Sequence, residues 1–150
     1  MGVETTAGTT ISICATLPAT YDAAGYGVLP FIEAGEVTDL GSFGRVYALV
    51  THQPIKTRGT KKLKGSFNEG TIQLTYGYDA SDAGQVIMEQ AVNSDAAYAI
   101  RIVSQSGKVF YFLALVMSAP KAFGGVDNVV SVTAQLELTT SDSGVGIVVV

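Results

Sequence analysis

From residue 130 to residue 139 every second side chain is apolar. Val130, Val132, Ala134, Leu136 and Leu138 share one face, while Ser131, Thr133, Gln135, Glu137 and Thr139 share the other. A period of two is the repeat of an extended strand, so the segment is committed to a sheet with one packed and one wet face. Residues 71–78 repeat the design, with Ile72, Leu74, Tyr76 and Tyr78 opposite Thr71, Gln73, Thr75 and Gly77. Further strands are expected at 10–17, 36–40, 45–51, 98–105 and 108–118, with a tight hairpin turn at Ser106-Gly107. Residues 109–117 are apolar on both faces, which marks a central strand between two packed layers. One helix is expected over 82–93, capped by Asp79 or Ser81, with Ala83, Val86, Ile87 and Gln90 or Ala91 as its apolar stripe. Pro18, Gly25, Gly27 and Pro30 interrupt the N-terminal part, and residues 1–30 are expected as an extended arm or loop. Residues 145–150 form a bare apolar β-former that must pair with its own sheet or a neighbour's edge.

The chain has 150 residues and 47% apolar content, which suits one domain spanning 1–150. Only 15% of residues are charged, against about 25% in an ordinary soluble domain. Some of the apolar excess is therefore expected at subunit contacts. No run approaches the ~18 apolar residues of a spanning helix, and the first residues lack the basic start and apolar core of a secretory signal. Neither membrane insertion nor export is expected. The single cysteine, Cys14, has no internal disulfide partner.

Charge is segregated. Residues 40–68 contain no Asp or Glu but hold Arg45, Lys56, Arg58, Lys61, Lys62 and Lys64, whereas the whole chain carries −4 with a pI near 4.8. A basic segment in an acidic body is complementary to copies of itself, and two different patches in contact generate rings or open stacks. Its basic run at residues 57–65 also admits a nucleic-acid patch or a solvated hairpin edge guarded by lysines. Stacking on single strands would favour aromatics among the bases, and Phe67 is the only one close in sequence to the run 57–65.

Catalytic chemistry finds little footing. Cys14 and His52 are the one conceivable nucleophile and base, but Cys14 alternates with Ser12 and Thr16 as a small hydrophobe in a strand would. There is no Gly-x-Ser-x-Gly elbow, no phosphate loop and no His/Cys cluster at metal-ligand spacing. Asp79 and Asp82 lack the ligand run of a Ca²⁺ loop. No cofactor is expected. The alternative to an assembly subunit is a β-sandwich binding or adhesion module, for which Tyr21, Tyr26 and Tyr47 are the available aromatics.

The ordered series Gly35-Glu36-Val37-Thr38-Asp39, Phe43-Gly44-Arg45, Thr51-His52-Gln53-Pro54 and Lys61-Lys62-Leu63-Lys64-Gly65-Ser66-Phe67 resembles the major tail tube protein of long, non-contractile-tailed bacteriophages. Asp82-Ala83-Gly84-Gln85, then Tyr98-Ala99-Ile100-Arg101-Ile102 and the hairpin to Met117, extend the resemblance over roughly residues 30–140. It implies a mainly β fold with one helix, a β-sandwich or half-barrel whose strands join those of neighbours in a ring-closed lumen. It further implies stacked hexameric rings, a tape-measure protein and later double-stranded DNA in the lumen, and tail-tip and terminator partners. The place would be the virion tail, assembled in the host cytoplasm, with no additional immunoglobulin-like domain in this chain. On that basis residues 52–68 are expected as an inter-ring loop or hairpin. In it Arg58, Lys61, Lys62 and Lys64 would meet Glu33, Glu36, Asp39, Asp79, Asp82 or Asp95 of the next ring. Ser131, Thr133, Gln135 and Glu137, then Thr71, Gln73 and Thr75, are the candidates for lumen lining.

Overall fold

Only Gly35 and Glu36 separate strands β2 (Ile32–Ala34) and β3 (Val37–Asp39), yet these strands are opposite edges of one sheet. The computed structural model describes residues 2–150. From edge to edge the sheet runs β2, β1 (Thr10–Cys14), β7 (Tyr98–Val103), β8 (Val109–Ser118), β10 (Ser131–Thr139), β6 (Thr71–Gly77) and β3. Each neighbouring pair is antiparallel. Laid flat at about 4.8 Å per strand, the edges would stand roughly 29 Å apart, whereas three residue steps reach only roughly 10 Å. The sheet therefore curls into a half-barrel whose edges approach each other at Gly35-Glu36. Two short strands complete it: β9 (Lys121–Ala122) beside the start of β10, and β11 (Val148–Val149) beside Tyr111 and Phe110 of β8. The C-terminal segment thus pairs within its own sheet.

Alternation places the core. Ile72, Leu74 and Tyr76 of β6 and Val132, Ala134 and Leu136 of β10 point inward with Ile11, Ile100 and Phe112. Helix α2 (Ala83–Val92) sets Met88 and Ala91 into the same core. Its buried stripe is Gly84, Gln85, Met88 and Ala91; of the expected stripe Ala91 is buried and Ile87 half-buried against the core, whereas Ala83, Val86 and Gln90 are exposed. Gly84 decides this rotation, because a Cβ there would collide with the Glu33 carbonyl and the Ala34 backbone. The cap is Asp82, neither Asp79 nor Ser81: its Oδ1 accepts from the Gln85 amide at 3.1 Å and its Oδ2 from the Gly35 amide at 3.1 Å. Gln85 completes the closure. Its Nε2 donates to the carbonyls of Gly35 (3.1 Å) and Gly77 (2.9 Å), and its Oε1 accepts from the Asp79 amide at 2.8 Å.

The convex face is covered where β8 needs it. A second helix, α1 (Ala23–Gly27), is capped by Asp22 and brings Tyr26 onto Tyr111, with ring centroids 5.2 Å apart. Together with Cys14, Ala99 and Leu113 they form a second buried cluster. The fold therefore has two helices where one was expected, and the region expected as an N-terminal arm or loop supplies β1 and α1. Its apolar side chains Tyr21, Tyr26 and Leu29 need a surface, and the outward residues of β8 provide it. β8 is the central strand, packed on both faces. The first strand stops at Cys14, three residues short of the expected limit.

Strands β4 (Val46–His52) and β5 (Lys61–Asn68) form a separate two-stranded sheet, a hairpin that leaves the barrel at one junction. There the Glu69 carboxylate, 2% exposed, accepts from Arg45 Nε at 2.6 Å, from Arg45 Nη2 at 3.3 Å and from the Ile147 amide. One carboxylate thus ties the hairpin base to the C-terminal segment. A Cβ on Gly146 would strike that carboxylate. Burial pushes Glu69 up, but the Arg45 hydrogen bonds, the Ile147 amide and the Arg45 charge outweigh it and hold the group below its ordinary range.

Two outcomes follow from these ties. A buried polar group left without its partner costs about 1–3 kcal/mol. Gln85→Leu orphans the Gly35 and Gly77 carbonyls and the Asp79 amide, and should lose about 3 kcal/mol or more in urea unfolding. Exposed Gln90→Ala should stay within about 0.5 kcal/mol. Because the folded chain lowers the Glu69 pKa, its contribution is full above the ordinary carboxylate range and is lost as pH falls through the lower, folded value. Glu69→Gln should cost about 1–3 kcal/mol at pH 7, with the gap to wild type closing in acid and the Ile147 amide losing protection from hydrogen exchange.

Candidate assembly surfaces

The hairpin is exposed on both sides, which is rare for a two-stranded sheet because such a unit is at best marginally stable alone. Register pairs Leu49 with Lys64, Val50 with Leu63 and Thr51 with Lys62. One face therefore carries Tyr47, Leu49, Lys62, Lys64 and Phe67, and the other Val46, Val50 and Leu63. Cations cap the aromatics on the first face. Arg45 lies 3.9 Å from the Phe67 ring centre and Lys64 4.7 Å from that of Tyr47, while the two rings meet edge to face at 5.8 Å. Tyr47 is the aromatic neighbour that sequence distance concealed, brought in by the opposite strand. With both rings so engaged, neither is laid out as a free stacking platform. On the other face Val46, Val50 and Leu63 are exposed with nothing of this chain over them.

Arg58, Lys61, Lys62 and Lys64 are all exposed on the hairpin, and none forms an ion pair among the described residues. Arg58 sits in the connecting loop at φ 59°. The acids expected to face them are dispersed. Glu36, Asp79 and Asp82 gather at the closure, around the end of β6 held by Gln85. The hairpin joins the other end of β6, seven residues or roughly 20 Å away. Glu33 and Asp39 lie on the two opposite sheet edges, and Asp95 follows α2. Asp79 is held below the ordinary carboxylate range by the Ser81 hydroxyl and amide, and Asp39 accepts from the Gly41 amide at 2.8 Å. Unpaired positive charge and much of the negative charge thus stand at opposite ends.

The seven polar strand residues come together. Across β6 and β10, Thr75 faces Thr133, Gln73 faces Gln135 and Thr71 faces Glu137, with Ser131 opposite Gly77. They form one strip on the face turned away from α2, and none is basic. The Thr71 hydroxyl donates to Glu137 at 2.7 Å and Gln135 Nε2 at 2.9 Å, which holds the Glu137 carboxyl below its ordinary range.

Cys14 and His52 are not brought together. Cys14 is buried under α1 on the barrel, and His52 is exposed on the free hairpin opposite Lys61. The three tyrosines weighed as a binding cluster are also split, since Tyr21 and Tyr26 pack on the convex face and Tyr47 on the hairpin. Among the described residues no group of His, Cys, Asp and Glu is placed to hold a metal, and no helix is long and apolar enough to cross a membrane. Sequence reasoning missed Glu69 and Gln85. Glu69 stands one residue beyond the acid-free segment, and Gln85 appeared in the resembling series Asp82-Ala83-Gly84-Gln85 with no role of its own, in a helix read for apolar spacing.

No known family model matches the sequence, and no curated protein does. The fold has counterparts among solved structures. A chain of the anti-feeding prophage baseplate aligns with TM-score 0.62 and 9% identity over 93% of this chain and 94% of its own. The SPP1 tail tube gives 0.56 and 18% over 87% and 72%. A chain from the sheath/tube terminator of an extracellular contractile injection system, PVC, gives 0.66 and 10% over 100% and 98%. A curled, mainly β half-barrel with two helices is thus the tail-tube type of fold, found in phage tails and in contractile injection systems alike.

Proposed function

We propose that this chain is the structural subunit of a phage-type tail tube, assembling with itself into stacked hexameric rings. The carrying observation is the hairpin, which exposes an apolar face and unpaired cations and has no supporting layer of its own. Such an element is completed by another molecule. Because its cations lie across the barrel from Glu36, Asp79 and Asp82, the complementary contact is head to tail, which repeats into a stack rather than closing as a dimer.

Exposed ion pairs contribute only ~0–1 kcal/mol each. Lys61, Lys62, Lys64 and Arg58 therefore set register against acids of the adjoining ring, while burial of Val46, Val50 and Leu63 supplies cohesion. The polar strip of β6 and β10 is the proposed lumen lining. A cation-free wall would let a polyanion slide, because phosphate contacts held by counterion release resist movement. In this reading the lumen holds a tape-measure protein and then conducts double-stranded DNA. Tail-tip and terminator proteins bound the stack, and the whole forms a non-contractile virion tail put together in the host cytoplasm.

The purified chain should form hollow tubes or stacked rings in negative-stain electron microscopy, fewer as salt rises. Joint replacement Lys61→Glu and Lys62→Glu should abolish stacking while circular dichroism and melting stay unchanged, since neither lysine has an acidic partner within the monomer. Normal tubes from that variant would exclude the assigned role of the hairpin charges.

A further inference from the structure

The loop between β9 and β10 is a second place where several large apolar side chains stand free on one element. Phe123 is 64% exposed, Val129 78%, and Val126 fully. The loop is nevertheless shaped: the Asn128 amide donates to the Gly125 carbonyl at 3.1 Å, Gly124 takes φ 68°, and the Asn128 side chain fills the space a Cβ there would need. A built loop that presents apolar side chains outward is a knob. At the opposite end of the molecule, an open cleft of about 500 Å³ lies between the hairpin and the barrel, lined among others by Tyr47, Ala48, Phe67, Leu138 and Thr139.

β10 connects the two features. It starts at Ser131, just after the loop, and ends at Thr139, on the cleft, so they are separated by the length of a nine-residue strand, roughly 30 Å. The loop does not reach its own cleft. A copy displaced along β10 brings one onto the other. Charge agrees with this placement, since the loop carries Asp127, which has no ion-pair partner, and the Lys64 ammonium stands over Tyr47 at the cleft. We propose that the Phe123–Val129 loop of one copy seats in the hairpin–barrel cleft of the next, so that each stacking contact is a mutual clasp of hairpin and loop. This rests on the stacked-ring reading above and assigns the surface that receives the loop.

The test mixes two single variants, Val126→Cys and Ala48→Cys, under mild oxidation, with the joined peptides identified by mass spectrometry. A heterologous clasp should give disulfide-linked dimers in the mixture and at least tenfold fewer with either variant alone. In parallel, Phe123→Asp with Val126→Asp should cut the assembled fraction at least tenfold without shifting the melting temperature, as both side chains are exposed in the monomer. Stacks that form without the mixed disulfide, or equal yields from one variant alone, would overturn the clasp while leaving the tube reading standing. Failure of the unaltered chain to stack at any concentration, or on a tail-tip complex, would remove both.

Discussion

Closure of the sheet by Asp82 and Gln85 is the constraint on which the remaining architecture depends. A chain that steps from one sheet edge to the other in Gly35-Glu36 must bend every strand between them, and the backbone at that step has polar groups to satisfy. The helix start supplies the partners: Asp82 takes the Gly35 amide, while Gln85 takes the Gly35 and Gly77 carbonyls. Glu36, at φ 61°, carries the turn that lets the chain cross. Because one helix end holds both the crossing at Gly35 and the end of β6 at Gly77, α2 is fixed in depth as well as direction, and Gly84 lets it approach the β2 backbone. Met88 and Ala91 then fill the space the curl creates.

Closure also decides which surfaces remain for other molecules. The edge strands β2 and β3 are three residues each, so the barrel offers no long ladder to a stranger. The convex face is covered at β1, β7 and the first part of β8 by the α1 segment, and it is open at β6 and β10, where it is polar, and at Met117 near the end of β8. What the barrel does not absorb is pushed outward to the hairpin and the Phe123–Val129 loop. Exposed apolar side chains also stand singly elsewhere, at Val28 and Met117 for example, but the hairpin and this loop each gather several of them on one element, and an interface is the physical use for such clusters.

Some of this was legible in the sequence because it is local. β10 and β6 follow from strict alternation, and the burial of β8 on both faces follows from an uninterrupted apolar run. The edge-to-edge crossing was not, since residues 32–39 read the same whether their strands neighbour each other or stand at opposite edges. α1 was hidden for a related reason: five residues with two glycines carry little helical signal, and Tyr26 matters only once Tyr111 lies beneath it. In β5 the lysines Lys61, Lys62 and Lys64 masked the strand, because alternation needs an apolar face and only Leu63 and Phe67 mark one, with Gly65 between them. Of the site residues, the polar strip could be assembled from strand periodicity. The dispersal of the acids over two edges and a helix end depends on the topology.

The strip and the hairpin make opposite electrostatic demands, which the fold meets by separating them. Within the strip, Thr71 and Gln135 donate to Glu137 and favour its ionised form, so its negative charge persists below the pH at which a free carboxylate would be neutralised. The unpaired lysines of the hairpin, by contrast, are carried beyond the barrel on an element that leaves at the Arg45–Glu69 junction. Had those cations faced the β6 and β10 strip, each would have been a phosphate site in the proposed lumen and a drag on anything moving through it. Placed on a projecting arm they stay out of the proposed channel, and in the proposed stack their partners come only from another copy. Of the six bases in residues 40–68, Arg45 is held by Glu69, while Arg58, Lys61, Lys62 and Lys64 stay free for the proposed register between subunits, and that separation needs the hairpin to stay outside the sheet.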